Sequence, residues 1–133
     1  MTESERKELA KYRLKKANET LHEIEILVHN KLWNTAINRM YYASYYAVSA
    51  LLINDSIQAQ THSGVRQMFG LHYIKTGMID KDLGKFYSDI FDKRQTGDYE
   101  DFIDFTNQDV SDLIPQTKDL ISKISQILAT TLS

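Results

Sequence analysis

Apolar residues recur along this chain at spacings of three and four, the period of helices that bury one face. The first such stretch runs from about Glu3 to His29, and the second from about Trp33 to Ile53. Three more helices are predicted to start after Thr61, Asp80 and Thr106, residues that favour the position before a first helical turn. Hydrophobic periodicity therefore predicts five helices separated by short breaks.

Glycine and proline are scarce, with five and one in 133 residues, which favours long helices over a strand-rich fold. A chain of this length buries one continuous core without disulfides or metals. We therefore predict a single all-α domain over residues 1–133, folded as an up-and-down bundle of four to five helices. Pro115 lies inside the last helix, where it removes an amide donor, so we expect a kink near it.

The end of the fourth helix is predicted from its polar and glycine residues. We expect this helix to continue to Arg94 and to be broken at Gly97. The segment 98–105 then alternates acidic and aromatic residues, and we expect an ordered loop that lays its aromatic rings on the bundle.

The second helix carries two adjacent faces. Arg39, Tyr42 and Tyr46 form a stripe beside the core face, because side chains three and four apart lie on one side of a helix. A helix that only packs would carry leucine there, so these groups predict hydrogen bonding across an interface or into a pocket. The predicted core face contains nine residues: Ala36, Ile37, Met40, Tyr41, Ser44, Ala47, Val48, Leu51 and Leu52.

Composition excludes several classes of protein. The absence of cysteine excludes disulfides and thiolate chemistry. No apolar run reaches membrane-spanning length and the polar N-terminus lacks the apolar core of a signal peptide, so we expect a cytoplasmic protein that does not bind membranes. A formal net charge of −2 disfavours indiscriminate binding to nucleic acid.

The histidines do not form a metal-binding motif. His22, His29, His62 and His72 include no pair spaced four apart, and we predict no metal and no cofactor. His72 is expected to be a buried core histidine. His62 follows Thr61 at a helix start, where free amides favour anions, although a capping role explains the position more simply. The scattered glycines form no phosphate-binding loop.

The polar string RQTGDY at 94–99 is the other candidate site. In a structural interpretation, Arg94 compensates helix-end carbonyls or pairs with Asp98, while Tyr99 anchors the loop. In a functional one, Arg94 contacts an anion or an RNA phosphate, and Tyr99 stacks or donates a hydrogen bond. The residues alone favour the structural interpretation and leave the other open.

Together these features resemble the HEPN superfamily, small all-helical prokaryotic domains often encoded beside minimal nucleotidyltransferases. The resemblance covers nearly the whole chain and rests on YRLKKA at 12–17, WNTAINRMYYA at 33–43, HSGV at 62–65 and RQTGDY at 94–99. The second and fourth strings are the most specific in combination, and they most resemble the branch called the UPF0332 family.

The resemblance implies a bundle that dimerises through its helices, with a polar cleft at the seam. Many relatives are metal-independent ribonucleases with an Arg-x4–6-His motif, and in one branch a following tyrosine is adenylylated by the nucleotidyltransferase. Arg94 matches the arginine and Tyr99 the tyrosine, but no histidine follows Arg94, and an aspartate at 98 would repel phosphate. The residues expected at the cleft or seam are Arg39, Tyr42, Tyr46, Arg94, Asp98 and Tyr99.

We therefore expect a homodimeric, non-catalytic or regulated HEPN partner of a minimal nucleotidyltransferase, in a toxin–antitoxin-like pair, that binds nucleotide or RNA at the dimer cleft. The first alternative is a divergent metal-independent ribonuclease that uses Arg94, with His62 brought close in space. The second is a structural scaffold whose tyrosines only pack.

Overall fold

The structure is a computed structural model that describes residues 1–99 and 103–132, with the side chains of Asp98 and Tyr99 outside the described part. Within these ranges the chain is all-α, as predicted, and contains no strand. A π-helical turn, Gly70–Ile74, continues the third helix. The five α-helices are α1 (Glu3–His29), α2 (Trp33–Asn54), α3 (His62–Phe69), α4 (Lys81–Tyr99) and α5 (Asn107–Leu132).

The helix α2 lies at the centre of the bundle, in contact with α1, α3, α4 and α5. All nine residues predicted for its core face are buried. On α1, the residues Ala10, Ala17 and Ile24 follow one another at intervals of seven and are also buried. Two of these three side chains are alanines, which let the backbones of α1 and α2 approach closely.

The helix α5 begins as the sequence predicts. The Thr106 hydroxyl accepts a hydrogen bond from the Asp109 amide (3.2 Å), and the Asp109 carboxylate accepts one from the Thr106 amide (2.8 Å). Such a reciprocal pair satisfies amides that the first turn leaves without helical partners. The helix continues through Pro115, and the kink expected there stays a prediction.

The π-helical turn after α3 changes which side chains face the core. The Thr61 hydroxyl caps α3 by accepting from the Gly64 amide (2.8 Å), as predicted. After the α-helical part, the Lys75 amide donates to the Gly70 carbonyl five residues earlier (2.9 Å). In a π-helical turn each residue advances by a smaller angle about the helix axis than in an α-helix, so the side chains that follow point in different directions. Tyr73 stays buried and His72 is exposed, so the prediction of a buried His72 was wrong.

Gly97 does not break α4, which continues through it to Tyr99. A Cβ at Gly97 would lie 3.0 Å from Cε2 of Phe105, so glycine here makes room for that ring rather than ending the helix. Phe105 is partly buried against the core, in agreement with the expected packing of a loop aromatic. Asn34 holds the segment, donating to the Ile103 carbonyl (3.1 Å) and accepting from the Phe105 amide (2.8 Å). The middle of the predicted loop lies outside the described residues.

Replacing either of two glycines with alanine should change the stability of the fold, but in opposite directions. A Cβ added at Gly84 would lie 2.9 Å from Cγ1 of Ile74 and 3.0 Å from its Cδ1 and Cγ2. A Cβ added at Gly70 would have no neighbouring atom within 4 Å. Overpacking at Gly84 should cost about 1–3 kcal/mol of stability. Because alanine favours a helix over glycine by only about 1 kcal/mol, we expect Gly84→Ala to destabilise the fold.

The matched control is Gly70→Ala, at a position with right-handed helical angles (φ −60°, ψ −45°). It should raise the free energy of unfolding by up to about 1 kcal/mol. Urea denaturation followed by circular dichroism measures both variants. A Gly84→Ala protein with a higher unfolding midpoint than the parent would contradict the close packing of α4 on Ile74.

Candidate functional site

The candidate site is built around Tyr41, in the middle of α2. Its ring is fully buried, with centroids 6.0 Å from Tyr45, 6.1 Å from Tyr87 and 5.8 Å from Phe91. Its hydroxyl forms a hydrogen bond of 2.6 Å with Nδ1 of His62, the first residue of α3. Because a buried hydroxyl requires a partner, this bond connects the centre of α2 with the start of α3.

The imidazole of His62 lies among tyrosine rings. It stacks on Tyr45, with centroids 4.5 Å apart and planes 24° apart, and meets Tyr42 edge to face at 5.9 Å and 88°. The side chain is only half-buried, so part of the ring remains accessible. Its position follows from the Thr61 cap, which fixes where α3 begins.

Arg94 of α4 lies on two of the same rings. Its guanidinium carbon is 4.9 Å from the centroid of Tyr41 and 5.8 Å from that of Tyr42. A cation over a tyrosine face is stabilised by about 0.5–2 kcal/mol, depending on how far it is desolvated. The structure therefore brings Arg94 and His62, the two candidate catalytic residues from sequence, onto one pair of tyrosines.

Burial and charge set the protonation states of this group. Burial lowers the pKa of His62 below its usual 6.5, and the nearby Arg94 cation lowers it further. Burial raises the pKa of Tyr41 to about 12, although the neighbouring Tyr87 hydroxyl and the charge of Arg94 act in the opposite direction. His62 and Tyr41 are therefore both neutral near pH 7, beside a permanently charged guanidinium.

The predicted second stripe of α2 forms a continuous, partly exposed surface. The Arg39 guanidinium carbon lies 5.1 Å from the centroid of Tyr42, and the Tyr46 ring lies 6.1 Å from the same ring. Arg39 also approaches Glu23 of α1, with Nε and Oε2 3.9 Å apart. The structure thus brings Arg39, Tyr42 and Tyr46 together beside Arg94, while their place at a dimer seam stays a prediction.

Two contributors were missed by sequence reasoning. Tyr41 was assigned only to the core, because periodicity reports burial and not the partner of a hydroxyl. Arg66 was not singled out, yet its guanidinium carbon lies 4.2 Å from the centroid of Phe91 and its Nη1 is 3.5 Å from Asp92 Oδ1. Arg66 follows His62 by four residues, and residues with that spacing lie on the same face of a helix. This spacing could have placed Arg66 beside His62 from the sequence alone.

Other predicted residues do not join this group. Asp98 and Tyr99 belong to the last turn of α4, but their side chains lie outside the described residues, so their roles stay predictions. His22, His29 and His72 are exposed. Across the described residues, no three histidine or carboxylate side chains gather as metal ligands do, and no helix has the length and apolar character needed to cross a membrane.

Comparison with known proteins gives a consistent set of relatives. The HEPN domain family matches residues 10–127. A protein of Thermotoga maritima named "UPF0332 protein" is 35% identical over 125 residues, covering 94% of this chain and 95% of its own. A protein of Methanocaldococcus jannaschii named "Putative toxin MJ0142" is 31% identical over 115 residues, covering 86% of this chain and 78% of its own.

The resemblance noted in the sequence is thereby confirmed over most of the chain, including the helices that carry Tyr41, His62 and Arg94. The four strings that carried the resemblance lie within the matched residues 10–127. This chain belongs to the HEPN domain family and, within it, to the UPF0332 proteins.

Proposed function

We propose that this protein is the HEPN partner of a minimal nucleotidyltransferase in a toxin–antitoxin-like pair, and that it binds the phosphates of RNA or of a nucleotide. The observation that carries the proposal is the meeting of Arg94 and His62 on the rings of Tyr41 and Tyr42. Two relatives from Methanocaldococcus jannaschii that are named as putative toxins support the toxin-like role.

Arg94 is suited to phosphate because its guanidinium is held in place before a ligand arrives. Contact with two rings restricts the side chain, so less conformational entropy is lost on binding. A guanidinium presents a planar fork of donors that matches two phosphate oxygens. The partly exposed Arg94 thus has the charge and the planar donor geometry that suit an anionic ligand.

The surrounding tyrosines favour RNA over a bare anion. The rings of Tyr42, Tyr45 and Tyr46 are partly exposed and adjacent, with centroids 5.9–6.3 Å apart. Aromatic faces beside a cation stack with unpaired bases, a common mode of single-stranded RNA recognition. We therefore propose a single-stranded segment as the ligand, with its phosphate at Arg94.

The dimer seam is part of the same proposal. The stripe of Arg39, Tyr42 and Tyr46 is partly exposed and carries both a cation and phenols, which are groups enriched at protein interfaces. We propose that two copies meet beside this stripe, so that its tyrosines line the shared cleft and each Arg94 lies near the mouth of that cleft.

A metal-independent ribonuclease is the second candidate, favoured by one observation. The imidazole absent from the sequence after Arg94 is supplied in space by His62, whose ring contacts the two tyrosines that Arg94 covers. Cleavage of RNA without a metal needs a group that moves a proton and a cation that stabilises the phosphate charge. Incubation of single-stranded RNA with the protein and with His62→Gln separates the candidates, since only a nuclease would cut RNA in a way that the substitution abolishes.

Binding of single-stranded RNA should depend on Arg94. We expect Arg94→Ala to weaken binding at least about tenfold, because a charge-assisted contact is worth about 1.5–3 kcal/mol. Fluorescence anisotropy with a labelled oligonucleotide at fixed salt measures this change. The matched control is Lys7→Ala near the start of α1, which removes a cation that pairs with Glu3 and should leave affinity unchanged. Equal losses in the two variants would contradict a specific phosphate contact.

The nucleotidyltransferase pairing should be visible as a modification of Tyr99. After mixing with ATP and a minimal nucleotidyltransferase from the same genome, we expect Tyr99 to carry adenosine monophosphate, as the resemblance implies. Mass spectrometry of the intact protein and of its peptides detects the added group. Tyr99→Phe serves as the control and should stay unmodified, whereas an unmodified parent protein would contradict this part of the proposal.

A further inference from the structure

We infer that Tyr41 is a positioning residue that holds His62 in one tautomer, with its proton on Nε2, so that His62 donates a hydrogen bond to a bound anion and does not act as a general base. The identity of that anion as a phosphate group rests on the proposed function. The assignment of the tautomer rests only on the contacts of the site.

The inference starts from one hydrogen bond between α2 and α3. The Tyr41 hydroxyl lies 2.6 Å from Nδ1 of His62. The Tyr41 ring also lies beside the ring of Tyr87 from α4, with centroids 6.1 Å apart. The Tyr87 hydroxyl is buried and, in the described part of the chain, has no partner of ordinary hydrogen-bond geometry. The bond to Nδ1 is therefore the hydrogen bond that satisfies the Tyr41 hydroxyl.

Counting protons decides the direction of this hydrogen bond. If Nδ1 is unprotonated, it accepts the proton of the buried Tyr41 hydroxyl. If Nδ1 carries a proton, Nδ1 and the Tyr41 hydroxyl are both donors in the same contact, and the buried hydroxyl is left without an acceptor. Because an unsatisfied buried donor loses its hydration without compensation, the first arrangement is the stable one.

The surroundings of His62 keep the imidazole neutral. Three tyrosines of α2 face the ring, at centroid distances of 5.7 Å (Tyr41), 5.9 Å (Tyr42) and 4.5 Å (Tyr45), and the charge of Arg94 acts on it from α4. Burial and that charge both oppose protonation, so Nδ1 keeps its lone pair for Tyr41. A neutral imidazole with Nδ1 unprotonated carries its proton on Nε2.

His62 and Arg94 therefore present two hydrogen-bond donors side by side, one neutral and one charged. Nε2–H of His62 and the guanidinium of Arg94 both donate, and a phosphate oxygen only accepts. A general base would instead need an unprotonated Nε2 facing the substrate hydroxyl. The tyrosine contact therefore favours recognition of phosphate by His62 over catalysis by it.

The tautomer is measured directly by 15N and 13C NMR of the histidine side chains at neutral pH. We expect His62 of the parent protein to show protonated Nε2 and acceptor Nδ1, with no detectable Nδ1–H form. Tyr41→Phe should introduce a detectable Nδ1–H fraction. Tyr73→Phe is the matched control, since it removes a buried hydroxyl that bonds Asp55 elsewhere in the core, and it should leave His62 unchanged. A parent protein with Nδ1–H would overturn the inference.

Substitutions at His62 test the donor role with inorganic phosphate as the probe. Glutamine reaches the position of Nε2 and can donate there, so His62→Gln should retain phosphate affinity within about threefold, while His62→Asn, which is too short, should lose about tenfold. Equal losses in both variants would overturn the donor role. Normal phosphate binding without RNA binding would contradict the proposed function alone, whereas RNA binding with Nδ1–H would contradict this inference alone.

Discussion

The buried hydroxyl of Tyr41 is the constraint on which the arrangement of the site depends. A phenol in the middle of α2 is fully buried and has to find a hydrogen-bond partner inside the bundle. His62 supplies it, and the cap by Thr61 places His62 at that point by fixing the first turn of α3. The same ring contacts Tyr87 and the guanidinium of Arg94 from α4, so one side chain determines how three helices meet.

This constraint links packing to the proposed chemistry. A neutral imidazole and a fixed guanidinium lie on the same two aromatic rings, beside partly exposed tyrosines. Such a surface offers charge, hydrogen-bond donors and stacking faces together, which are the features used to bind single-stranded RNA. In the proposed function His62 binds phosphate beside Arg94. Only in the second candidate, the ribonuclease, would it take the role of the histidine that the sequence lacks after Arg94.

Much of the fold was predictable because it depends on periodicity. The bounds of α1 and the nine-residue core face of α2 follow from spacings of three and four, and both predictions are confirmed. The errors came from features that periodicity does not encode. His72 is exposed in the π-helical turn. The helix α4 continues through Gly97, where the Phe105 ring occupies the space that a side chain would take. The contact between Tyr41 and His62 depends on how α2 and α3 pack against each other. The periodicity of either helix alone does not specify that packing.

The central claim is that Arg94 and His62 act on the same phosphate, and a double-mutant cycle on the affinity for single-stranded RNA tests it most directly. Arg94→Ala, His62→Asn and the double variant are compared with the parent protein by fluorescence anisotropy at fixed salt. Two residues that share a ligand and neighbouring rings should be coupled, so that the loss in the double variant differs from the sum of the single losses by at least about 0.5 kcal/mol. Losses that add to within about 0.3 kcal/mol would show that the two residues act independently and would contradict the account.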